Sequence, residues 1–241
     1  MNTLARLEVL RLARDKRFAI FAIGMPSIFY LIFGAQKATV SGTDFARYYM
    51  VSMAVYGALI ATMNVGGPRI AADRQVGWTR QLRLTSLTGT QYFAAKSITA
   101  ITVGLVAVLP VFLIGALVNH VTMPAGQWVG SAVAVWLASL AFAALGILIG
   151  YLGTPSSVQP IMMLVSLGIS MLGGLWWPIS ILPTAMQDVA KVLPTYHVAQ
   201  IAHNVQAGGA PALVNVVVVV AYFVGFGMIA AWLYRRDEAK G

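Results

Sequence analysis

The sequence predicts an all-α integral membrane protein: a single transmembrane domain over residues 1–241 with six spanning helices. Three observations predict it. The chain has 241 residues, of which 59% are hydrophobic and 10% charged, and its mean hydropathy is +0.79. A soluble domain carries roughly 25% charged residues. Six apolar runs are each long enough to span, since a helix needs about 20 residues to cross ~30 Å of hydrocarbon. Finally, the basic residues gather at the ends of these runs, as topology signals do. That placement, rather than nucleic-acid binding, accounts for the net charge of +9.

Residues 1–17 are basic, with Arg6, Arg11, Arg14, Lys16 and Arg17 against Glu8 and Asp15. Helical spacing aligns Ala5, Val9 and Leu12, while Leu4, Leu7 and Leu10 lie off that face. This suits a helix lying at the cytoplasmic interface, and equally a solvated tail that sets topology. The first run covers residues 18–36, with a kink expected at Pro26. No small-x-small cleavage site follows it, so it reads as an uncleaved span. The second run is 46–67. The third, 91–118, contains Pro110. The fourth is 128–151, and the fifth, 157–176, has Pro160 in its first turn. The sixth is 212–234. Gly146 and Gly150 form a GxxxG in the fourth run, which permits close helix approach. Packing within the bundle is its first expected use and self-association its second.

Charge sets the orientation. With the N-terminus inside, thirteen of the sixteen Lys and Arg face the cytoplasm, and only Lys37, Arg47 and Lys191 face out. This obeys the positive-inside rule and puts both termini in the cytoplasm of an inner-membrane, multi-pass protein.

Two segments stand apart from the spans. Residues 69–87, RIAADRQVGWTRQLRLTSL, form a polar island carrying Arg69, Arg74, Arg80 and Arg83 against one acid, Asp73. On position and charge this is either a docking handle for a cytoplasmic partner or a loop that only fixes topology. Trp78 and Leu82 are four apart and would share a helix face as an apolar knob. The arginines can form charge-assisted bonds to carboxylates, and Gly77 permits close approach. Residues 176–211 are too broken by Pro178, Pro183 and Pro194 to span, yet too apolar for a free loop. They read as a pair of short helices in or dipping into the outer leaflet, with Trp176 and Trp177 as interfacial aromatics. Val189, Val192, Leu193 and Tyr196 make a helix-like stripe there. An external gate and a lid that seals the bundle are both consistent with this.

Several chemistries lack their residues. No lysine follows a glycine, so no phosphate-binding GxxxxGK[ST] loop exists. There is no HExxH and no cysteine. His120, His197 and His203 have no second ligand at metal spacing and read as interfacial residues near the outer surface. Ser166 and Ser170 have no histidine in the sixth run to meet them. No charged residue sits in the middle of a span, which disfavours a proton-coupled transporter. No catalytic or metal site and no bound cofactor are therefore expected in this chain.

The basic N-terminal segment, the six spans and two motifs together resemble the type-2 ABC exporter permeases, in particular the drug-exporter branch. The first motif is RQVGWTRQLRLTSLTGTQYFAAK after the second span, with Arg74, Gly77, Trp78, Arg80, Gln81, Leu82, Arg83, Leu84, Thr85 and Lys96 as its matching residues. Many relatives have proline after that threonine; this chain has Ser86. The second is GGLWWPISILPTAMQDVAKVLPTYH, residues 173–197. The resemblance implies that 69–87 is a coupling helix seated in a separate ATP-binding subunit. ATP and Mg would be held by that subunit, in two copies, and a second permease chain would complete a homodimer. An amphipathic or lipophilic substrate would pass between the permeases, with the first and fifth spans facing the path. Trp176, Trp177, Pro178, Pro183, Pro194 and Tyr196 would belong to the outer gate. The rival readings are a self-sufficient channel or secondary transporter, and a membrane scaffold that transports nothing.

Overall fold

The computed structural model describes residues 20–36, 39–40, 42–75 and 89–239. A π-helical turn, Ile20–Gly24, leads into α1 (Met25–Phe33). A two-rung antiparallel hairpin follows, β1 (Thr39–Val40) with β2 (Thr43–Asp44). Then come α2 (Phe45–Gln75), α3 (Gly89–Leu117), α4 (Ala125–Ala138), α5 (Leu140–Leu152) and α6 (Pro155–Leu172). A 3₁₀ turn, Ile179–Ile181, precedes α7 (Thr184–Ala190), α8 (Pro194–Gln206) and α9 (Leu213–Ala239).

Among the described residues, five stretches are long and apolar enough to cross a membrane: α2, Ile98–Leu117 of α3, α4 with α5, α6, and Leu213–Arg236 of α9. Ile20–Phe33 is apolar but shorter. Its 14 residues rise about 21 Å, less than the ~30 Å core. The other residues of the expected first span's N-terminal end, and the expected interfacial helix over 1–17, lie outside the described residues. Pro26 lies within the continuous apolar helix Ile20–Phe33, at the second residue of α1 and directly after the wider π turn.

α2 is the centre of the molecule. It is rich in Ala and Met, which favour helix, and it is apolar around its circumference through the middle, the signature of a buried helix. Residues Met50–Val55 are fully buried. It packs on α1, α3, α5, α6 and α8. Of its apolar window 89% is buried, against 17% for α6 and 11% for α9. Those outer helices turn Ile161, Met163, Leu164, Val214, Val217 and Trp232 away from the protein. In a bilayer such faces meet lipid or another apolar surface at no cost.

The α2–α5 crossing is made by glycine. A Cβ on Gly146 would stand 2.3 Å from the Met63 carbonyl oxygen, and one on Gly150 would stand 2.6 Å from that of Gly67. The GxxxG therefore serves packing within the chain, its first expected use. The fourth expected span, 128–151, lies within one 28-residue stretch, Ala125–Leu152, interrupted by a single turn residue. It breaks at Ser139, whose Oγ donates to the Trp136 carbonyl at 2.6 Å, a local bond that competes with the helix ladder. Thr62 Oγ1 of α2 donates to the Ala58 carbonyl of its own helix at 2.7 Å and also approaches the Ser139 carbonyl at the break (3.2 Å).

α2 also runs eight residues beyond the expected second span, so 69–75 of the polar island are its last two turns. After α6 the chain reverses at Gly173 and Gly174. Gly174 has φ +79°, the left-handed region that favours glycine. Within 176–211 the chain forms two short helices, α7 and α8. The stripe Val189, Val192, Leu193 and Tyr196 is not continuous, however, because α7 ends at Ala190 and Pro194 restarts the helix.

These elements define two ends. At one, the start of α2 meets the start of α4 and the end of α8, through Arg47, Gln127 and Gln206. At the other, the end of α2 meets the ends of α5 and α9, through Arg74, Tyr151 and Tyr234.

Candidate functional site

Of the residues expected to couple to a partner, Arg74 is described; Gly77, Trp78, Arg80, Gln81, Leu82, Arg83 and Thr85 lie outside the described residues. Arg74 Nη1 donates to the Tyr151 carbonyl at 2.6 Å and approaches that of Gly153 at 3.5 Å. Its guanidinium lies 5.7 Å from the centre of the Tyr151 ring, within cation–π range. Tyr151 lies in the last turn of α5 and Gly153 caps it. Their carbonyls carry the negative end of the helix dipole, so a cation is favoured there.

The expected gate residues fall into three places. Trp176 packs edge-on against Phe29 (4.8 Å) and Tyr56 (5.2 Å), joining the chain after α6 to α1 and α2. Its Nε1 donates to Ser170 Oγ at 3.0 Å. Trp177, its neighbour, is 48% exposed. Pro178 and Pro183 start the 3₁₀ turn and α7, and Pro194 opens α8. Their fixed φ suits a first helical turn or the residue before it. Thr195 Oγ1 donates to the Ile169 carbonyl, which seats α8 on the end of α6. Tyr196 meets the His197 ring edge-on at 5.1 Å.

A polar group outside the expected sites joins three helices. Arg47 Nη2 donates to Gln127 Oε1 (2.5 Å) and to the Gln206 carbonyl. Gln206 Nε2 donates back to the Arg47 carbonyl (2.5 Å). One turn along, His203 stacks flat on Tyr48, with ring centres 4.1 Å apart and planes 1° from parallel. His203 Nε2 is 3.2 Å from Ser52 Oγ, and its Nδ1 is 3.5 Å from Gln206 Oε1. Gln206 uses its amide N–H on Arg47, so its Oε1 accepts. Nδ1 then carries the proton and Nε2 accepts from Ser52. Burial pushes the His203 pKa down from 6.5 to about 4, so the imidazole is neutral at physiological pH.

Ser52, His203 and Gln206 have the connectivity of a nucleophile, base and orienting group. They do not have its chemistry. Ser52 is fully buried, and a base titrating near 4 is far from the neutral value that general-base catalysis favours. The group instead knots α2, α4 and α8 together. A second histidine does similar work. His197 is buried, with Nδ1 2.8 Å from Asn215 of α9 and Nε2 donating to the Lys191 carbonyl (2.8 Å). Two of the three histidines expected at the interface are thus structural cross-links, whereas His120 sits in an exposed turn with φ 48°. Among the described residues no three His, Cys, Asp or Glu come together as a metal site.

Comparison with known proteins agrees with this architecture. The family model described as ABC-2 family transporter protein matches residues 35–232. A protein of Bacillus subtilis (strain 168) that its name describes as a transport permease, YvfS, is 28% identical over 244 residues. The match covers 99% of this chain and 100% of that protein.

Proposed function

The chain belongs to the ABC-2 family of transporter proteins, and from that we propose that it is the permease subunit of an ATP-driven exporter. A separate ATP-binding subunit supplies the energy, holding ATP and Mg, and grips the segment that begins where α2 leaves the bundle. Two such subunits serve two permease chains, a homodimer, in the cell's inner membrane with both termini in the cytoplasm. The cargo is an amphipathic or lipophilic compound such as a drug, antibiotic or lipid.

One observation carries the reading. α2, the most buried helix, runs the length of the molecule and leads directly into the basic segment carrying Trp78, Arg80 and Arg83. A partner that moves that segment therefore acts on the core itself. The nature of the cargo is supported by α6. Its exposed face is Ile161, Met163, Leu164 and Leu167, and Ser166 returns its hydroxyl to the Met163 carbonyl. Such a face suits lipophilic molecules better than sugars or ions.

The test is gentle purification of the tagged chain from its native membrane, followed by an ATPase assay. Near one-to-one recovery of an ATP-binding subunit, lost with Trp78→Ala, supports the reading. A chain that comes out alone and conducts or transports without ATP would falsify it.

A further inference from the structure

We propose that Asn64 of α2 accepts a hydrogen bond from the cargo, so that the chain prefers lipophilic molecules carrying a free N–H or O–H; this rests on the permease reading above. The hydroxyls of Thr62, Ser131 and Ser139 close on their own helices by donating to backbone carbonyls. A hydroxyl that donates has met its main need in a bilayer. An amide has two ends to satisfy.

Asn64 closes only one of them. Its Nδ2 donates to the Ile60 carbonyl one turn back, at 2.8 Å. That carbonyl can only accept, so the amide nitrogen faces it and Oδ1 faces away. Among the described residues Oδ1 receives no hydrogen bond. Nor is it sealed in the core: the buried side-chain atoms left without a partner there are Ser27 Oγ, Arg47 Nε and Asn119 Nδ2. Asn64, half-buried, therefore turns a bare acceptor outwards. A second acceptor lies beside it. Pro68 stands inside α2 one turn on and has no N–H to give the Asn64 carbonyl.

A lipophilic molecule can reach this place. Ile60, Asn64 and Pro68 are one turn apart and form a half-open strip on the most buried helix, which Ala72 continues, exposed. On the helical wheel Gly57 falls about 20° to one side of Asn64 and Gly67 about 60° to the other. A Cβ on Gly57 would stand 3.3 Å from Pro26 Cγ of α1, and one on Gly67 would stand 2.4 Å from Met162 Sδ of α6. The strip thus lies between α1 and α6. Asn64 stands about 26 Å along the axis from Arg47 and about 15 Å from Arg74, inside the ~30 Å hydrocarbon core and towards the Arg74 end. There an acceptor without a donor is costly. The strip holds no carboxylate, so a neutral or charge-delocalised N–H or O–H suits it and a compact ammonium does not.

The test uses two dyes of one ring system: rhodamine 123, whose two exocyclic nitrogens carry N–H, and tetramethylrhodamine methyl ester, in which those nitrogens are methylated. The chain is reconstituted in vesicles with its ATP-binding subunit, and the ratio of ATP-dependent accumulation rates is measured. The unmodified chain should favour rhodamine 123. Asn64→Leu should lower the ratio about fivefold, the worth of one hydrogen bond, by slowing rhodamine 123 while the methylated dye and ATP hydrolysis change little. If Asn64→Leu does not yield monodisperse protein, Asn64→Ser replaces it with the same expectation, since its hydroxyl can return to the Ile60 carbonyl as that of Thr62 returns to Ala58. An unchanged ratio overturns the proposal. So does an equal fall for both dyes, which makes Asn64 a structural residue, and so does an unmodified complex that hydrolyses ATP without favouring rhodamine 123. If the unmodified chain recovers no ATP-binding subunit, or moves both dyes equally without ATP, the permease reading itself fails and the inference falls with it.

Discussion

Each end of α2 carries an arginine that donates to the final carbonyls of another helix: Arg47 to Gln206 of α8, Arg74 to Tyr151 of α5. The chemistry is the same and the surroundings differ. At the Arg47 end the bond is returned by Gln206 Nε2, extended to Gln127 and backed by the stacked Tyr48–His203 pair. Three helices are closed into a knot. At the Arg74 end the guanidinium rests on an aromatic ring beside the turn to α6 and the start of the 76–88 segment. A helix end can be tied by a network closed through three helices or by a charge that bonds terminal carbonyls and rests on a ring. The glycine crossing between the two holds α2 and α5 at close approach.

The comparison can be broken most severely in its middle. Gly146→Val places side-chain atoms on the Met63 backbone. Such a clash has no flexible neighbour to absorb it, and it should cost about 3 kcal/mol or more. Loss of monodisperse protein in detergent, with a large fall in melting temperature, is the expected result. Arg47→Ala comes next. It removes charge-assisted bonds and leaves the Gln127 and Gln206 oxygens to find other partners, a loss of about 2 kcal/mol. Limited proteolysis should then cut first near 206–210, after α8.

A pH titration sharpens the comparison, because only the Arg47 end holds a buried imidazole among the described residues with its pKa pushed down. The unfolded chain protonates His203 near 6.5, while the folded chain resists until about 4. The stability due to this group is therefore complete above pH 6.5 and falls as the pH drops towards 4. The slope is at most about 1.4 kcal/mol per pH unit. His203→Gln should flatten that part of the thermal-stability profile. The smallest effect is at the gate residues: Ser170→Ala removes the acceptor of Trp176 and should cost about 1 kcal/mol, seen as increased quenching of Trp176 fluorescence in a chain whose other tryptophans are replaced.

What the sequence showed and what it hid have separate physical origins. Runs of apolar residues reveal spans, because the bilayer acts on each residue locally, and the runs near 46–67, 91–118 and 212–234 correspond to α2, α3 and α9. Prolines mark element starts in 176–211 because their fixed φ suits a first helical turn, as at Pro194 of α8. The break at Ser139 was not legible, because it depends on one hydroxyl choosing a backbone carbonyl and on Thr62 of another helix. The Arg47 knot joins residues 80 and 159 apart in the chain, which no periodicity records. Arg47 stood out only as a basic residue on the side that should carry few. Among the expected coupling residues, Arg74 alone falls in the described structure, and its position at the end of α5 is a tertiary contact that charge patterning does not contain.

The central claim is that a partner's ATP cycle drives cargo through this chain. It is tested most directly in vesicles reconstituted with the purified complex, by following accumulation of a fluorescent amphipathic dye with and without ATP. The account predicts ATP-dependent accumulation that Arg80→Glu with Arg83→Glu abolishes, while the chain stays inserted and monodisperse. Equal dye movement without ATP, or accumulation unaffected by that pair of changes, would contradict it.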